Sequence, residues 1–135
     1  MTKLHFDGGC RPNPGPIELA VAVRGEVHVR DTGLSGDNNL AEWLALLWAV
    51  EIAVARGLTD IVLIGDSHHV IGQAAGRLKC RTDAARACRA RYLDLAAGLS
   101  RIVLRQVPRA RNLAGIALQR RHDRPFDLSP PGRPG

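Results

Sequence analysis

A mixed α/β domain, one sheet flanked by helices on both faces, is the architecture predicted for this chain. Three observations predict it. An opening block of three strand-length segments gives way to alternating helical and strand patterns, two strands close on an aspartate, and 45% of the 135 residues are apolar, enough for one core. No apolar run approaches the ~18 residues of a membrane span, and the start, "MTKLHFDGG", lacks the apolar region of a secretory leader. The expected organisation is a single domain over residues 1–122 and a Pro/Gly-rich, disordered tail over 123–135. A cytoplasmic monomer without membrane association is expected.

The elements follow in order. "TKLHFD", "IELAVAV" and "GEVHVRD" are apolar or alternating at strand length with short connections, which predicts an antiparallel meander. From Asn39 to Arg56, Leu40, Trp43, Leu44, Leu47, Val50, Ile52 and Val54 spread over a wide apolar face, and Gly57 supplies a C-terminal stop. "DIVLIGD" is continuously apolar, as in a strand covered on both faces. A helix is expected from Ser67 to about Ala75, and a second, amphipathic one after a cap at Thr82 or Asp83. "RIVLRQV" is the last strand, stopped by Pro108, and Asn112 opens a short final helix. Trp43 and Trp48 are expected in the core.

Charge narrows the partner. The balance is +6, and the 19 basic side chains are arginine except Lys3 and Lys79. Guanidinium forks grip phosphate in pairs of hydrogen bonds, which favours a polyanion; solvated surface is the competing explanation for the same arginines. Cys10, Cys80 and Cys88 are an odd number without C-x-x-C spacing, which predicts reduced thiols and no zinc site.

Three carboxylates fall where such a sheet would gather them. Asp7 closes the first strand, Asp66 closes the fourth, and Glu42 lies in the first turn of the long helix. Ligands collect beyond the carboxyl ends of parallel strands, so neighbouring first and fourth strands would bring both aspartates to one edge facing Glu42. Together they would repel one another at a cost of several kcal/mol, on the order of what divalent cations relieve. Hard oxygen donors suit Mg²⁺ or Mn²⁺. Taken singly, each has a plainer role: Asp66 as a helix cap, Glu42 as an exposed first-turn acid, Asp7 as an Asx turn.

On these residues the chain resembles the type 1 ribonuclease H family. "FDGGCRPNPGP", "DNNLAEWLALLWAVE" and "IGDSHHVIGQ" match the family's first strand and loop, its Asn-Asn-x-x-Glu helix start and its Asp-Ser strand end, and "VPRARNLAGIAL" resembles its last strand and final helix. The likeness covers Lys3 to Gln119. It implies the ribonuclease H-like fold, a five-stranded mixed sheet with three antiparallel strands followed by parallel additions. It also implies endonucleolytic cleavage of the RNA strand of an RNA/DNA hybrid, leaving 5′-phosphates. Asp7, Glu42 and Asp66 would hold two divalent ions roughly 4 Å apart. By similarity Gly8, Gly9, Cys10, Asn13, Asn38, Asn39, Ser67 and His68 would face the hybrid, the glycines giving its backbone close access.

The departures are specific. The family's fourth carboxylate, in Asn-x-x-Ala-Asp-x-Leu, falls at Ile116 when "VPRARN" is held in register. Asn112 is the preferred substitute, offering its amide oxygen as a fourth ligand. Three carboxylates against two divalent ions leave one net positive charge, which implies weaker loading of the second metal, reduced activity and a preference for Mn²⁺. Asp37 replaces a phosphate-holding threonine and would repel phosphate unless it caps the helix. Arg109 or Arg111 stands where many members have a loop histidine, and would assist product departure. Arg77, Lys79, Arg81, Arg86 and Arg89 could form a modest basic patch. Two rivals remain: a degenerate domain that binds hybrid without cleaving it, and a phosphate-binding metabolic enzyme, weakened because no helix follows the "DGGCRPNPG" loop.

Overall fold

A computed structural model describes residues 1–123. Apart from Asp123, the expected tail lies outside them. Five strands run β1 (Thr2–Cys10), β2 (Gly15–Val23), β3 (Glu26–Gly36), β4 (Asp60–Gly65) and β5 (Arg101–Gln106). They form one sheet in the order β3-β2-β1-β4-β5, antiparallel across the first three and parallel from β1 outward through β4 to β5. The helices are α1 (Asn38–Ala55), α2 (His68–Ala74), α3 (Asp83–Ala96) and α4 (Leu113–Asp123), with a 3-10 turn over Arg109–Arg111. The expected mixed sheet with helices on both faces is the one observed. No helix among the described residues is long and apolar enough to cross a membrane.

Helix α1 forms the main core against β1 and β2. Asp37 caps it by accepting a hydrogen bond from the Leu40 amide at 2.8 Å, the helix-capping alternative foreseen for that carboxylate. Gly57 ends it with φ of +70°, a conformation a Cβ would strain. The buried surface differs from the expected one. Ala41, Ala45, Ala49 and Ala53 recur every four residues, all fully buried beside Trp43 and Val50, whereas Val54 is exposed. A stripe of alanines lets a helix lie close to a sheet, and the larger residues flank it. Trp48 is only half-buried, roofed by Arg30 with its guanidinium 4.4 Å from the ring centre.

Asp7 sits within β1 rather than at its end, which corrects the expected strand boundary. Pairing with β2 continues to Cys10, but pairing with β4 stops at His5 opposite Ile64. Past that point β1 has no neighbour on its parallel side, and Asp7 opens into the gap. Asp66 follows β4 immediately. The two aspartates therefore emerge at the carboxyl end of one parallel pair, as expected from the topology. Helix α4 covers the opposite sheet face through Ala20, Ala114 and Leu118.

Candidate active site

Asp7, Glu42 and Asp66 each offer an oxygen, and the three oxygens lie within 4.8 Å of one another. Glu42 is fixed by the backbone: its Oε1 accepts from the Gly8 amide at 2.9 Å. That bond requires α1 to touch β1. A Cβ added to Gly8 would stand 2.1 Å from the Ala41 carbonyl oxygen, so glycine here makes room for the helix and not for a ligand. A Cβ on Gly9 would meet nothing within 4 Å; only this second glycine leaves space for an approaching chain.

Asn112 closes the site from below. It is fully buried, and its Nδ2 donates to the Phe6 carbonyl at 2.9 Å and to Asp66 Oδ2 at 2.8 Å. Its Oδ1 accepts from the Ala114 amide at 3.1 Å, capping α4. A carbonyl on one side and an amide on the other leave one orientation of this side chain. Asn112 thus presents a donor to the carboxylates, and the expectation that its oxygen would serve as a fourth metal ligand is corrected: that oxygen is occupied by the helix start. Ile116, in the first turn of α4, is half-buried and supplies no ligand atom.

The electrostatics follow from the burial. Loss of water pushes the Asp7 carboxyl up to about 6, the Asp66 charge adds to the shift and Arg109 opposes it. Glu42 is pushed well above its ordinary value, first by desolvation and then by the charges of Asp7 and Asp66. Asp7 Oδ1 is buried and accepts no hydrogen bond. Buried acceptors rarely stay unsatisfied. An orphaned carboxylate oxygen aimed among two further carboxylates fits the oxygen-rich donor set of a hard divalent cation. Arg109 supplies the nearest positive charge, with Nη1 3.8 Å from both Asp7 Oδ1 and Asp66 Oδ1.

Around this centre lies a cleft of about 220 Å³, lined among others by Asp7, Gly9, Glu18, Asn38, Glu42 and Arg109. Asn38 and Asn13 are locked beside it. Asn38 Oδ1 accepts from the Cys10 amide and thiol, each at 3.3 Å, and Asn13 Oδ1 accepts from the Asn38 amide at 3.2 Å. Both oxygens are engaged within the protein. Asn39 and His68 line a separate groove with Trp43 and Lys79, and the Ser67 hydroxyl caps α2 by accepting from the Val70 amide at 3.2 Å. Of the expected basic patch, Arg86 binds Asp83 and the Cys80 carbonyl, and Arg89 binds the Gln73 carbonyl, so these two brace α3.

Glu18 was not foreseen. It lies buried in the cleft wall, held by Arg121 Nη1 at 2.9 Å and by His122, while Arg121 also reaches Asp31 on β3 at 2.7 Å. Its signal in the sequence is a lone acid between Ile17 and Leu19 in an otherwise apolar strand.

Comparison with known proteins identifies the family and the fold. A family model described as "Reverse transcriptase-like" matches residues 5–122. The "Ribonuclease HI" of Halobacterium salinarum is 37% identical over 119 residues, covering 84% of this chain and 60% of that protein's length. A crystal structure of RNase H1 from Halobacterium salinarum superposes with a TM-score of 0.83 at 32% identity, covering 91% of this chain and 98% of that one. LC11-RNase H1, solved in complex with an RNA/DNA hybrid, shares the fold at a TM-score of 0.77 and 22% identity, covering 84% of this chain and 89% of that one. The carboxylate cluster, the strand order and these likenesses converge on one conclusion: the chain belongs to the reverse-transcriptase-like family and, within it, to the type 1 ribonuclease H proteins.

Proposed function

We propose that this protein is a divalent-metal-dependent endonuclease that hydrolyses the RNA strand of an RNA/DNA hybrid. The observation that carries the proposal is the unpartnered Asp7 oxygen at the centre of three converging carboxylates. Asp7, Glu42 and Asp66 would hold the metal. Two bound ions would supply charge neutralisation, an activated water and stabilisation of the departing 3′ oxygen.

The protein's own groups do the positioning. The Gly8 amide fixes Glu42, and Asn112 fixes Asp66 while tying it to the β1 backbone at Phe6. Asn13 and Asn38 keep their oxygens inside the protein, leaving amide nitrogens as donors for phosphate or 2′-hydroxyl oxygens. Gly9 gives backbone access there. Asn39 and His68 are assigned to the groove beside the metal site, and Arg109 to a phosphate at its mouth. Ser67 acts through α2 as its cap, orienting the Asp66 turn. No side chain is needed as nucleophile; Cys10, Cys80 and Cys88 are free thiols without an assigned role in the reaction. An intracellular, reducing setting accords with those thiols.

Incubation of purified protein with labelled hybrid, duplex DNA and duplex RNA, with and without Mg²⁺ or Mn²⁺, tests the proposal. Metal-dependent product from hybrid alone is expected, and Asp7→Asn abolishes it while sparing most hybrid affinity. Hybrid retained at low salt but never cut, with either metal, refutes hydrolysis.

A further inference from the structure

Arg109 is an odd neighbour for a cation site. Its guanidinium stands 3.8 Å from Asp7 and 3.8 Å from Asp66, the two aspartates that would hold metal, yet it makes no hydrogen bond to either. A structural ion pair in this setting would close to hydrogen-bond distance and satisfy the buried oxygen. Instead Asp7 Oδ1 remains orphaned, and the Arg109 side chain is 56% exposed. The backbone beneath it is pinned, because the 3-10 turn leads straight into fully buried Asn112, whose amide donates to the Arg109 carbonyl at 3.1 Å. An exposed charged tip thus stands on a fixed base, without a hydrogen bond to either aspartate.

We infer that Arg109 is a placeholder cation: in the metal-free protein it balances Asp7 and Asp66, and divalent metal enters by displacing it. The inference rests on the metal reading above. Displacement sends the guanidinium to the mouth of the cleft, where a substrate phosphate can take it. Phosphate and metal would then assist each other's binding, since whatever draws Arg109 away vacates the carboxylates, and the coupling is reciprocal. Such a device also limits loading of metal without substrate. It suits a site with three carboxylates, where two divalent ions are under-neutralised until phosphate arrives.

Calorimetric titration of the substrate-free protein with Mn²⁺ tests this. Arg109→Met is expected to bind Mn²⁺ roughly five- to tenfold more tightly than the parent, the scale for removing a partly screened charge about 4 Å away. Arg111→Met removes an equal charge from the same turn and is expected to change the affinity by no more than about twofold. Should Arg109→Met fail to fold, Arg109→Gln replaces it. Unchanged or weaker binding by the Arg109 variant, or equal tightening by both variants, overturns the placeholder role and leaves the metal site standing. Absence of Mn²⁺ binding in parent and variants alike, or parent affinity retained in Asp7→Asn, overturns the metal reading itself.

Discussion

The two halves of the site are built differently. On one side, Asp7 and Glu42 are held by a dry contact between β1 and α1, with the Gly8 backbone against the Ala41 carbonyl. On the other, Asp66 sits at a strand end with 14% of its side chain exposed, steadied by one amide and faced by the exposed side chain of Arg109. The first half is fixed by backbone packing. The second is assembled from side chains at the start of α4, where Asn112 is buried and Ile116 is half-buried. The contrast teaches that one half of a carboxylate cluster can be set by the packed core while the other is set by side chains at a helix start.

The strongest test of the dry half is Asp7→Asn. Cleavage is expected to fall by about a thousandfold or more, read as initial rate on labelled hybrid. The same variant should raise metal-free stability, because ionising Asp7 in the fold is unfavourable. Its pKa rises from 3.8 to about 6 on folding, so between those values the folded state holds the proton more tightly. Stability from this group is therefore full below about pH 4 and declines as pH climbs to about 6, by roughly 3 kcal/mol for a shift near two units. Urea melts in chelator across pH 4–7 should show the decline, and Asp7→Asn should flatten it. Glu42, whose carboxyl is also raised by burial and by the neighbouring carboxylates, adds to the decline in the same direction.

Gly8→Ala strikes the seam directly and should cost about 2–3 kcal/mol, measured by denaturant unfolding, since a methyl at 2.1 Å from a backbone oxygen forces α1 away. Breaking the side-chain half should cost less. Asn112→Ala leaves the Phe6 carbonyl and the α4 start unpaired, at about 2 kcal/mol, while Asn112→Asp sets a carboxylate against Asp66 and should lose stability that Mn²⁺ partly restores. Arg121→Ala, which loosens the far end of α4, should cost about 1 kcal/mol or less in the same assay because Asp31 and Arg121 are partly solvated.

Much of this was legible in the sequence, for physical reasons. A strand closed by Asp66 and a helix capped by Asp37 follow from local chemistry, and parallel pairing of β1 with β4 then brings Asp66 beside Asp7, which lies inside β1 and not at its end. The rest depended on contacts between distant parts of the chain. Asn112 is recognisable as a helix start, but which of its two amide atoms faces Asp66 is decided by the Phe6 carbonyl, 106 residues away. The alanine stripe of α1 is hard to read from sequence because alanine contributes little to an apolar pattern, although its smallness is what seats the helix. Gly8 and Gly9 are indistinguishable in sequence; only the approach of Ala41 separates their roles.

The grip of Arg121 on both Glu18 and Asp31 has a mechanical consequence. It ties the last turns of α4 to β2 and to the outermost strand, while Asn112 ties the beginning of the same helix to β1. Fastened at both ends, α4 behaves as a strut across three adjacent strands, so that a pull on the helix's carboxyl end is carried into the sheet before it reaches Asp7, Glu42 and Asp66.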